Sequence, residues 1–236
     1  MTTTSPRLLA RMAGALYVIT IASGVFAAFF VNTALIVRND PAATASHILA
    51  AEPLYRLGTA AELIGTLAYV AVTALLYVLL RPAGRTVSVL AAFFSLVGCA
   101  IGAAELAFHI APLILLGGTP FLAAFTPDQL QALALVFLKL EGQANNVGLI
   151  CFGFYCMLIG WLIVRSTFLP RGVGILMGLA GLSWLIGGFA TILFPALASQ
   201  LSLLTAAGIA GEASLTLWLL LFGVNAEKWK AAQIGG

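Results

Sequence analysis

The sequence predicts an all-α integral membrane bundle of six transmembrane helices, and two observations carry that prediction. First, 62% of the 236 residues are hydrophobic and only 8% are charged, with a mean hydropathy of +1.10. A soluble domain devotes about a quarter of its residues to charge, and this chain lacks the residues for such a water-facing shell. Second, apolar runs of roughly 18 residues or more recur, the length a helix needs to cross the hydrocarbon core. The composition is that of helices and not of alternating ten-residue barrel strands. The net charge of +3 is spread over loops, which leaves no basic footprint for nucleic acid. Cys99, Cys151 and Cys156 fall within apolar runs without CxxC spacing. They read as small packing residues and not as a disulfide or metal framework.

The spans are predicted at about 8–31, 55–80, 86–116, 141–164, 172–194 and 200–224, within one domain covering 1–236. Arg7 and Arg11 precede the first run, which is too long for a signal-peptide core and reads as an uncleaved span. Asn39-Asp40-Pro41 is a helix-start signal, with Asp40 as cap and Pro41 in the first turn. It predicts a short extracytoplasmic helix over 41–51. Arg81-Pro82 stops the second span, and Pro112 is a kink candidate in the third. Thr126-Pro127-Asp128-Gln129 reads as a capping box. A lead-in helix over 127–140 is expected to bend at Gly142 into the fourth span. The tail after Val224 is polar and reads as frayed. Gly98/Gly102 and Gly174/Gly178 form GxxxG ridges that let helices approach closely.

Arg7, Arg11, Arg81, Arg85, Arg165, Arg171, Lys228 and Lys230 share one side of this topology, against Arg38, Arg56 and Lys139 on the other. The positive-inside rule therefore predicts both termini in the cytoplasm. It also sets depth. At 1.5 Å per residue, Glu62 lies ~28 Å and Glu105 ~30 Å from their cytoplasmic markers, Glu141 and His109 ~36 Å, and Glu212 ~24 Å. Each polar residue shares a helical stripe with small ones: Gly98, Gly102, Glu105 and His109 on the third span, and Glu141, Asn145 and Gly148 on the fourth. Ionisable groups facing lipid cost ~2.5–3.5 kcal/mol each, so these stripes are expected to face inward. The predicted ligand set is Glu62, Glu105, His109, Glu141, Glu212 and Asn145, with Arg56 as a counter-charge beside Glu62.

Three functions are consistent with this pattern. The pocket binds or transports a small ligand, an ion or a proton. Alternatively, Glu62, Glu105, His109, Glu141 and Glu212 hold a divalent metal (Zn, Fe or Mn) in an intramembrane enzyme acting on a lipid or outer-leaflet substrate. As a third reading, the carboxyls are interhelical hydrogen-bonders in a structural subunit. No phosphate-cradling glycine loop and no GxSxG motif occurs.

Four strings carry a family resemblance: RLLARMAGALYVITIASGVFA, LYRLGTAAELIGTLAYVAVTALLYVLLRP, RSTFLPRGVGILMGLAGLSWLIGG and GEASLTLWLLLFGVNAEKW. Together they resemble the DUF4386 family of bacterial polytopic membrane proteins. The resemblance implies six spans and a multi-pass protein of the bacterial cytoplasmic membrane. It implies no catalytic residues, since the family's function is unknown. Glu62, Arg56 and Glu212 lie inside these strings; Glu105 and His109 lie outside.

Overall fold

A computed structural model describes residues 5–194, 196 and 202–234, and all regular structure among them is helical. Helix α1 (Pro6–Val25) runs on through a π-helical stretch, Phe26–Asn32, and a last α turn, Thr33–Leu35. Then come α2 (Pro41–Ala50), α3 (Glu52–Leu80), α4 (Arg85–Leu116), α5 (Pro127–Arg165), α6 (Arg171–Leu193), α7 (Ser202–Leu221) and α8 (Ala226–Ile234). Six helices among the described residues are long and apolar enough to cross a membrane. No more than 44% of any span's most apolar stretch is buried by protein. The apolar remainder, including Phe29, Phe30, Phe93 and Leu193, needs lipid to cover it.

The capping signals act as expected. Asp40, in extended conformation with Pro41 after it, accepts from the Ala43 amide at 2.9 Å. The Thr126 and Gln129 side chains each bond the other's backbone amide. Asp40→Ala is expected to cost about 1 kcal/mol. The measurement is hydrogen exchange at the Ala43 and Thr44 amides, which should quicken while the spans stay protected.

The structure adds detail at three of these places and corrects the last. Helix α5 is unbroken over 39 residues, with no interruption at Gly142. Glycine weakens a helix by ~1 kcal/mol but keeps its N–H in the ladder, so it permits a bend without requiring one. At 1.5 Å per residue α5 is ~58 Å long and outreaches the bilayer core. Likewise α4 stays helical through Pro112. The tail is not frayed: α8 docks through Trp229, whose side chain is buried and whose Nε1 donates to the Leu79 carbonyl at 2.8 Å. The expected start of the sixth span at Gln200 lies outside the described residues.

The chain divides into two compact units. The first comprises the segment up to Val18, Ala68–Cys99 and everything from Asn146. Its helices meet on small residues. A Cβ on Gly160 would stand 2.6 Å from both the Gly174 oxygen and the Gly178 nitrogen, so α5 and α6 touch backbone to backbone there. The second unit comprises Ile19–Leu67 and Ala100–Asn145. Val31, Leu35, Ile48, Tyr55 and Leu138 form its apolar core, which clamps α2 onto the spans.

Candidate functional site

The second unit draws polar groups from four helical segments. From α3 comes Glu62, from α4 Glu105 and His109, from α5 Glu141 and Asn145, and from the end of the π-helical stretch Asn32. A π turn takes an extra residue and re-aims the side chains beyond it, and such turns recur at functional sites. Here the Asn32 side chain faces the Glu62 carboxyl, and its Oδ1 is buried without a partner.

At the centre, one ligand atom each from Glu62, His109 and Glu141 lies within 4.8 Å of the other two. His109 is 1% exposed. Its Nδ1 lies 3.0 Å from both Glu141 oxygens, which fixes the ring's orientation. Tyr55 fixes it further: its ring stacks on the imidazole with centroids 4.4 Å apart and planes 7° apart, and its hydroxyl donates to the His109 carbonyl. The second ring nitrogen, Nε2, is buried and has no partner. Leaving such a group unsatisfied costs ~1–3 kcal/mol. Alongside, Asn145 donates to Glu105 Oε1 at 3.3 Å, while Oε2 is buried and unpartnered.

The donor set suits a divalent transition metal. Imidazole nitrogen with carboxylate oxygens is ordinary ligation for Zn, Mn or Fe. Around one such ion, ligand atoms stand roughly 3.3 Å apart. The cluster therefore needs to close by up to about 1.5 Å at its widest, within reach of a glutamate rotamer change.

Two predicted members sit elsewhere. Glu212 belongs to the first unit, where its own donors meet it. The Tyr17 hydroxyl donates to Oε2 at 2.6 Å and the Trp184 indole to Oε1 at 2.7 Å. Tyr69 bonds Tyr17 at 3.0 Å. With both oxygens engaged, Glu212 is a satisfied interhelical carboxyl and not one of the clustered ligands. This bond engages the Trp184 indole N–H inside the unit. Arg56 pairs with Glu52 at 2.7 Å on one exposed helix turn; its long side chain keeps the charge in water and does not serve Glu62. Sequence reasoning missed Tyr55 and Asn32. The signals were a tyrosine seven residues before Glu62, on the same helical face, and a lone asparagine late in an apolar span.

Six apolar helices with polar groups gathered inward define a multi-pass membrane protein. Within that class, the model of the family described as "Domain of unknown function (DUF4386)" matches residues 12–223, and the chain belongs to that family. No curated protein and no solved structure matches it.

Proposed function

We propose that this membrane protein binds a divalent transition-metal ion through Glu62, His109 and Glu141 of its second unit. The observation that carries this reading is a buried imidazole, its Nε2 unpartnered, that brings a ring nitrogen within 4.8 Å of ligand oxygens from Glu62 and Glu141. A purely structural His–Glu pair accounts for Nδ1 and leaves Nε2 unexplained. Three protein ligands leave at least one coordination position for water or an incoming group, as in metal centres that do chemistry. That position supports binding of a small polar ligand or a lipid headgroup, and hydrolysis of such a molecule is the enzymatic form of the same reading.

Metal analysis tests it. Protein purified in detergent without chelators is expected to carry about one Zn, Mn or Fe per chain, or to take up one equivalent on addition. Protein that neither retains nor takes up any of these ions defeats the metal reading, and a proton or a monovalent cation then becomes the ligand to test.

A further inference from the structure

The first unit holds a half-open cavity of about 700 Å³ that is lined by Arg81, Pro82, Gly84, Arg85, Ala232 and Gln233. Arg81 and Arg85 both border it, four residues apart across a single 3₁₀ turn. Among the described residues neither has a carboxylate partner within ion-pair distance; the ion pairs there involve Arg56 and His109. Two exposed arginines on one cavity concentrate positive charge there, and an anion held by both gains from each.

Three further features give the cavity the shape of an anion site. It opens where the 32-residue helix α4 begins, and the first amides of a helix lack intrahelical acceptors and carry the positive end of its dipole. The residue before α4 is Gly84, which brings no side-chain oxygen to cap those amides. The opposite wall is held in place: Trp229 ties α8 to the Leu79 carbonyl, which keeps Ala232 and Gln233 beside the turn.

Location narrows the ligand. The turn joins the ends of two candidate spans, Glu52–Ala83 and Arg85–Leu116. It therefore lies at headgroup level, where basic pockets take acidic lipids. We propose that Arg81, Arg85 and the start of α4 form a phosphate-binding site that takes the headgroup phosphate of an anionic phospholipid. Arginine suits this ligand because its planar fork makes paired bonds to phosphate oxygens.

Native mass spectrometry of the detergent-purified chain tests the proposal, with phosphatidylglycerol, phosphatidylcholine or inorganic phosphate added in separate arms. Phosphatidylglycerol is expected to be retained over phosphatidylcholine. The Arg81→Gln/Arg85→Gln variant should reduce that retention by about tenfold or more. Retention of inorganic phosphate without lipid, lost in the same variant, upholds the phosphate site and overturns the lipid as its source. Equal retention by wild type and variant in every arm overturns the site itself. Should the double glutamine variant not fold, Arg81→Lys/Arg85→Lys keeps the charge and removes the fork; unchanged retention there overturns paired-bond recognition.

Discussion

His109→Ala is expected to lower metal affinity at least a hundredfold and to leave the purified chain without metal. The substitution removes the nitrogen ligand and the group that holds Glu141 in place, since His109 Nδ1 faces both Glu141 oxygens. Loss of a group that merely orients a ligand already costs 10–100-fold in affinity, and loss of a ligand itself costs more. Substitution at a fully buried position also opens a void beside Tyr55, so a drop in stability of ~2–3 kcal/mol accompanies it. A second variant separates the two effects. Glu212→Gln puts an amide NH2, a donor, in place of one of the oxygens that accept from Tyr17 and Trp184 and should destabilise the first unit, yet keep full metal stoichiometry. Metal lost equally in both variants means that unfolding and not ligation governs binding, and the assignment to Glu62, His109 and Glu141 fails. Glu62→Gln gives the finer check: it preserves shape, removes one anionic ligand, and should weaken binding without emptying the fold.

Gly160→Ala is expected to be strongly damaging for a single added methyl, costing about 3 kcal/mol, the upper end for overpacking. The added carbon would sit 2.6 Å from the Gly174 oxygen and the Gly178 nitrogen. Both are backbone atoms of α6, so no side chain can rotate away and the helices themselves have to part. In lipid this matters more than in water, because helices there associate through close packing and not through exclusion of water. Gly187→Ala on the same α6 is the control. A Cβ there meets nothing within 4 Å, so alanine should be neutral or stabilise the helix by up to ~1 kcal/mol. Thermal unfolding in detergent reads both. Similar melting temperatures for the two variants would mean that this backbone contact does not hold α5 and α6 together.

The chain's own pattern is most legible where the physics is local. Asp40-Pro41 and Thr126…Gln129 name their helix starts because capping involves residues three apart. The GxxxG at Gly174/Gly178 announces a packing surface because small residues on one face have little other use in lipid. It does not say that Gly160 is the facing residue, since that choice depends on how α5 and α6 register. α5 is helical without a break across Gly142, because glycine keeps its N–H in the ladder and does not by itself end a helix.

The candidate site divides along the same line. ExxxH spacing puts Glu105 and His109 on one stripe, and depth counting puts Glu62 and Glu141 near them. Depth alone also admits Glu212, because the distance along a helix axis says nothing about which neighbours stand around it.

What the sequence by itself determined is the solvent and the class of structure. A chain with so few charges requires lipid, lipid requires backbone groups to be satisfied within each helix, and the apolar runs therefore become six spans. What only the tertiary structure decided is partnership. It gave Glu212 to Tyr17 and Trp184, Arg56 to Glu52, and Glu141 to His109, and it left Nε2 of that buried histidine free. Hydrogen bonds and metal ligation depend on ångström separations between residues tens of positions apart, and those separations come from helix rotation and packing, which no local pattern encodes.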